Sequence, residues 1–82
     1  MKNVTIDLDD YSPYLRSILA KETYSEEILD YLARDSNADV RYAVANNSYT
    51  SSETLSKLSE DIGKCVCEAA IENPNFRKNQ KN

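Results

Sequence analysis

Apolar residues along the chain recur at helical spacing in short bursts, with polar turns between them. Leu29 and Leu32 stand three apart, Val40, Ala43 and Val44 follow at i, i+3 and i+4, and Leu55, Leu58, Val66 and Ala69 repeat the arrangement. Such spacing lines one side of a helix with 3.6 residues per turn, so each burst predicts a short amphipathic helix. The bursts form a repeat. A shift of 26 positions lays residues 23–48 over 49–74 with eight identities: Ser25/Ser51, Glu27/Glu53, Leu29/Leu55, Leu32/Leu58, Asp35/Asp61, Val40/Val66, Ala43/Ala69 and Asn47/Asn73. Ordinary composition gives roughly two by chance. Each copy therefore holds two helices, A and then B.

The residues between the bursts predict where the helices stop and start. Thr50-Ser-Ser-Glu53 has the form of a capping box for helix A of the second copy, and Thr23-Tyr-Ser-Glu26 offers the same box one residue out of frame, with Ser25 as the rival cap. Helix A of the first copy is expected to end near Asp35, with Ser36 and Asn37 as turn formers that cap the next helix and Asp39 at its positive end. Ile62-Gly63-Lys64 replaces Ser36-Asn37-Ala38 in the second copy, which predicts a poorer cap there. Asn73-Pro74 stops the last helix, because a residue before proline is pushed out of the helical region.

Extended backward in the same frame, Tyr14-Leu-Arg-Ser-Ile-Leu-Ala falls under Val40-Arg-Tyr-Ala-Val-Ala-Asn, and Ser12-Pro13 supplies a cap with proline at the first helical position. The predicted organisation is an extended segment 1–12, a helical-repeat domain 13–75 and a flexible basic tail 76–82. The domain contains a lone B helix at 13–21, repeat 1 at 23–48 and repeat 2 at 49–74. Units of this kind bury their apolar stripes by stacking, so the fold class is all-α, a short α-α superhelix of about two and a half repeats of either hand. Val4, Ile6 and Leu8 alternate like a half-buried strand, which either lies over the first helix or adds to a strand of another chain.

With the repeat in frame, residues 29–55 resemble the leucine-rich repeat variant, a HEAT-like helical repeat. The likeness is carried by Leu32-Ala33-Arg34-Asp35, Val40-Arg41, Ala43-Val44-Ala45 and Asn47, and in the second copy by Leu58, Asp61, Val66, Ala69 and Asn73-Pro74. It covers residues 14–75. The resemblance implies an α-superhelix, with helices of α and 3₁₀ type, that binds other proteins; in such stacks the acid ending helix A pairs with the arginine of helix B, here Asp35 with Arg41. Asp61 has Cys67 in place of that arginine, so its alternative partner is Arg41 of the neighbouring unit. Some relatives carry an iron-sulfur cluster on an N-terminal cysteine-rich segment. Residues 1–64 have no cysteine, so no such cofactor is implied here.

Charge narrows the partner. All 14 acids lie before residue 77 against seven of the ten bases, which leaves residues 1–76 near −7. That field repels phosphate backbones and attracts basic or mixed protein surfaces. Direct nucleic-acid binding would have to rest on Arg77, Lys78 and Lys81 and is not expected. An apolar run of membrane-spanning length is lacking and the N-terminus turns acidic, so the expectation is a cytoplasmic, soluble protein.

Without histidine, a glycine-rich phosphate loop or an evident pair of acids in a pocket, no enzyme is expected. Cys65 and Cys67, two apart on a helix, point about 200° from one another, so neither a bridge between them nor a metal site is expected. The candidate binding residues are those on the outward side of the B helices. At 100° per residue Val40, Ala43, Val44 and Asn47 face the core, while Tyr42 and Asn46 point away. Carried across units in the same frame, the outward columns read Arg16, Tyr42, Glu68 and Ala20, Asn46, Glu72. Tyr42, Asn46, Glu68 and Glu72 form the candidate strip. A flanking column, Leu19, Ala45 and Ile71, is apolar, and Ile71 has no following helix, so it joins the candidates as a sticky end for a partner or a second copy unless Phe76 folds over it. Tyr14, Tyr24 and Tyr31 are expected under the stack, and Tyr11, Tyr42 and Tyr49 nearer water. Asn47 and Asn73 are expected to bond local backbone at the corners. The alternative function is that of a small acidic inhibitor, whose Glu26, Glu27, Asp30, Glu53, Glu60, Glu68 and Glu72 imitate phosphates in another protein's basic groove.

Overall fold

The computed structural model describes residues 7–78, and of Arg77 and Lys78 only the backbone. The described residues form helices and no strand: α1 Pro13–Glu22, α2 Glu26–Leu32, α3 Ala38–Asn46, α4 Ser52–Leu58, α5 Lys64–Glu72 and α6 Pro74–Lys78. Residues 3–6 of the alternating N-terminal run, and Lys81, lie outside them. The predicted extended segment curls at Leu8–Asp10 into one 3₁₀ turn, because the Asp7 carboxylate accepts the Asp9 N–H at 3.0 Å.

Helices α1 to α4 begin where a side chain satisfies their free N–H groups. Ser12 accepts from Leu15 N–H ahead of Pro13, Ser25 from Ile28 N–H, and Asn37 from the N–H groups of Asp39 and Val40. The start of α4 departs from expectation: Ser51, not Thr50, is its cap, accepting from Thr54 N–H at 3.1 Å. Thr50 is instead fully buried, and its hydroxyl donates to the Val44 carbonyl at 2.7 Å, which also accepts the Asn47 N–H at the end of α3. Helix α5 has Gly63 at its cap and no side-chain bond there. Helix α2 ends at Leu32, three residues before Asp35, and tightens through bonds from Arg34 N–H to Tyr31 and from Asp35 N–H to Leu32.

α1, α3 and α5 pack side by side with α3 in the middle; α2 packs against α1 and α3, and α4 against α3 and α5. Between them lies the core. Leu29, Leu32, Val40, Val44, Ala45 and Leu55 have no exposed surface, and Leu58 and Val66 almost none. Burying each of these leucine and valine side chains contributes about 1.5–3 kcal/mol. The paired positions of the two copies share their settings, Leu29 with Leu55, Leu32 with Leu58 and Val40 with Val66, all inside this one cluster. At the C-terminal end the chain is helical through Lys78, where the composition predicts a flexible tail from residue 76. Pro74 presets the first helical position, Asn73 Oδ1 accepts the Asn75 N–H, and Phe76 packs against the core.

Candidate functional site

The inward-facing polar residues between the packed helices are engaged with one another or with backbone carbonyls. Arg16 donates through Nε and Nη2 to the two carboxylate oxygens of Asp35 at 2.6 and 3.1 Å, and Arg41 does the same to Asp61 at 2.8 and 3.2 Å. Each fork is two-pronged and mostly sheltered from water. Asp35 and Asp61 also accept an N–H two residues on, from Asn37 and Gly63. Burial pushes both carboxyls up, but the guanidinium and this N–H outweigh it and hold each below the usual carboxylate range. Asp35 and Arg41 are thus not an ion pair: Arg41 gives Nη1 to the Asp35 main-chain carbonyl at 2.8 Å, and its carboxylate partner belongs to the following unit.

Two asparagines complete this interior. The Asn47 amide donates to the carbonyls of Ala20 at 2.8 Å and Thr23 at 2.9 Å, and Asn73 donates to those of Ala45 at 2.8 Å and Asn47 at 3.0 Å. Each also accepts the N–H two residues on with its Oδ1. Both bond local backbone, as expected, and both also tie one B helix to the end of the previous one.

This bonding corrects the frame of α1. Arg16 behaves as Arg41 and Ala20 as Ala45, an offset of 25, because the chain from Arg16 to the Ser25 cap is one residue shorter than that from Arg41 to the Ser51 cap. Arg16 is therefore inside, bound to Asp35, and Ala20 has no exposure, so neither belongs to an outward column. The outward positions of α1 are Ser17, beside Tyr42 and Glu68, and Lys21, beside Asn46 and Glu72. In the same frame Leu19 sits with Val44, and the apolar flank becomes Ala20, Ala45 and Ile71. Ile71 is 40% exposed.

The four candidate strip residues come together. Tyr42 and Asn46 of α3 and Glu68 and Glu72 of α5 line one shallow groove of about 140 Å³, with Cys65 and Ala69. None of the four donates or accepts a side-chain hydrogen bond within the described residues. Ile71 is not among the residues lining this groove. A larger groove of about 550 Å³, missed at the sequence level, lies between α1 and α3, with Tyr14, Ile18, Tyr42 and Ala43 among its walls and Lys21, Asp39 and Asn46 beside them. The identities Arg16/Arg41 and Ala20/Ala45 were the signal that could have found it.

All six tyrosines are exposed, which corrects the placement of Tyr14, Tyr24 and Tyr31 under the stack. The interior is filled by Leu, Val and Ala on narrow helix faces, which leaves no room for rings. Tyr24 instead packs on Tyr49 at the corner, with ring centroids 4.9 Å apart and planes tilted by 50°. Tyr31 donates to Asp9 at 3.4 Å, and the nearby Asp9 charge, with some burial, raises its pKa.

The acids that would imitate phosphates are divided between elements. Glu26, Glu27, Glu53 and Glu60 belong to α2, α4 and the turn after α4, Glu68 and Glu72 to α5, and Asp30 is held by Arg34 at 3.1 Å. Cys65 is exposed and Cys67 half-buried. Among the described residues no three His, Cys, Asp or Glu side chains are grouped to hold a metal, and no helix is long and apolar enough to cross a membrane. No family model, curated protein or solved structure matches the chain.

Proposed function

We propose that the chain is a non-catalytic protein-binding module, built as a short HEAT-like solenoid that presents the outward side of α1, α3 and α5 to another protein. One observation carries this reading. The polar side chains facing inward are consumed by the repeated Arg–Asp and asparagine contacts, while Tyr42, Asn46, Glu68 and Glu72 share a groove with no partner of their own among the described residues. Exposed tyrosine favours binding surfaces, since a ring brings a large contact area with little rotamer entropy to lose. The absence of histidine from the sequence supports the non-catalytic part.

The test is capture from cell extract by the immobilised chain, repeated with Tyr42→Ala combined with Glu68→Ala. The expected result is a protein retained by the parent chain and lost from the variant at unchanged thermal stability. Retention by the variant would rule out this strip.

A second reading, occupation of a basic groove by the acidic surface, draws on the charge count. Arg16, Arg34 and Arg41 are all engaged with acids, leaving Lys21, Lys57 and Lys64 to offset the remaining carboxylates among the described side chains. On that reading binding weakens steeply with salt and duplex DNA competes for the partner; binding indifferent to salt removes it.

A further inference from the structure

The protein-binding reading can be taken to a definite ligand class, on which the following rests. We propose that the outward face takes an extended, polyproline-like segment of a partner. Such a segment places a large apolar side chain in the groove between α1 and α3 and, three residues away along it, a Lys or Arg in the groove between α3 and α5.

The two grooves differ in chemistry. The first, at about 550 Å³, falls within the range of about 300–1,000 Å³ typical of small-ligand sites, and Tyr14, Ile18, Tyr42 and Ala43 make its walls largely apolar. Ile18 is 39% exposed and Tyr42 44%, so an apolar side chain seated there removes hydrocarbon from water. The second groove carries Glu68 and Glu72, four apart and therefore on one side of α5, and no cation lines it. A basic side chain is the complement of that pair. Taken together the two grooves hold Asp39, Glu68 and Glu72 against Lys21 alone.

Asn46 indicates what passes between them. It lines both grooves, and its amide is unbonded within the described residues, whereas the amides of Asn47, Asn73 and Asn75 are all engaged. An amide offers one donor face and one acceptor face, the match of a peptide group. The interior backbone of a bound α-helix is already paired within itself and offers Asn46 no free peptide group; an extended segment keeps those groups free.

Spacing selects the kind of extended chain. Packed helices lie about 8–10 Å apart, so the grooves on either side of α3 are separated by about that distance. In polyproline conformation residues i and i+3 fall on one side about 9 Å apart, with no internal hydrogen bonds. In a β-strand residues i and i+3 point to opposite sides.

The test begins with random 12-residue peptides on phage, panned against the full chain. Enriched sequences are expected to share a Leu, Met, Phe, Tyr or Trp with Lys or Arg three positions away, in either order. Synthetic copies of an enriched peptide are then titrated by fluorescence anisotropy. Glu72→Lys is expected to weaken binding at least tenfold, Asn46→Ala about fivefold and Ile18→Glu beyond detection, while Lys57→Glu on α4 leaves it within twofold and thermal unfolding confirms that each variant is folded. Moving the basic residue to two or four positions from the anchor is expected to cost tenfold. Three outcomes overturn the proposal: no enrichment, enrichment of acidic or helix-forming peptides, or enriched peptides indifferent to Ile18→Glu and Glu72→Lys. A protein captured from extract through Tyr42 and Glu68 while no peptide is enriched would also overturn it, yet would leave the broader protein-binding reading intact.

Discussion

Asn46 and Asn47 are the same residue type at adjacent positions, and the fold uses them oppositely. Asn47 is 6% exposed and its amide binds the carbonyls of Ala20 and Thr23, acceptors that the end of α1 leaves unpaired. Replacing it with alanine leaves the buried Ala20 carbonyl without this donor, at a cost of about 2 kcal/mol. Asn46 points outward and bonds nothing among the described residues, so Asn46→Ala is expected to change stability by less than about 0.5 kcal/mol, as surface substitutions usually do. Urea denaturation of the two variants checks this; equal midpoints would mean that the Asn47 contacts do not hold α3 to α1. The pattern of apolar positions separates the two residues at the sequence level, because it places Asn47 on the core side and Asn46 away from it. It does not show the ties to the preceding helix, which join residues 24 to 28 apart and appear only once the helices are packed.

Among the helices, the connection into α5 is the weak one. Gly63 adopts φ −78° and ψ 120°, close to the −91° and 125° of Asn37, yet supplies no side chain to the helix start. A Cβ at Gly63 would meet Asp61 Oδ1 at 3.2 Å and Val66 Cγ2 at 3.3 Å, which is tight. The first unit nevertheless carries an asparagine in that conformation, between Asp35 and Val40 in the corresponding places. Gly63→Asn is therefore expected to stabilise the chain by about 0.5–1 kcal/mol, through the cap bond and the reduced freedom of the unfolded chain. For a domain of this size the thermal midpoint rises by about 4–8 °C per kcal/mol, and a lowered midpoint would show that the Val66 contact prevails. Helix order and the identity of the buried faces were legible in the sequence, since period and caps coincide at Ser12-Pro13, Ser25 and Asn37. The frame of α1 was not, because a rigid 26-residue shift steps over the one residue missing before α2. The short α6 was hidden by Pro74, which ends α5 and begins a helix at one position. The outward strip was half legible: Tyr42, Asn46, Glu68 and Glu72 follow from the wheel, but the apolar groove beside them needs the correct frame.

At the scale of the whole molecule, two part-buried ion pairs join residues 19 and 20 apart, and they set the response to acid. Asp35 and Asp61 are held below the usual carboxylate range when folded, so the folded state binds fewer protons than the unfolded one at these positions. Their contribution is complete above the unfolded carboxylate pKa of about 4 and is lost as pH falls through the lower folded values. A second effect runs the other way. The chain carries 14 acids against 10 bases with an isoelectric point near 4.7, so acidification from neutrality first relieves repulsion among exposed carboxylates. Repulsion between exposed groups is screened by water and salt, whereas the pairs are sheltered, so the relief is shallow and the later loss steep. The expected profile is therefore nearly flat from pH 7 to about pH 5 and falls sharply below about pH 4, the unfolded carboxylate pKa. Asp61→Asn separates the two effects. At pH 7 it leaves Arg41 facing a neutral amide in a part-buried place, a loss of about 2 kcal/mol. As pH falls through the lowered folded value the parent Asp61 is protonated and resembles the amide, so the difference between the two proteins shrinks toward zero. Thermal midpoints of both chains from pH 2 to 7 decide it: converging curves assign acid lability to the ion pairs, and curves that stay parallel to the lowest pH show that the pairs do not govern it.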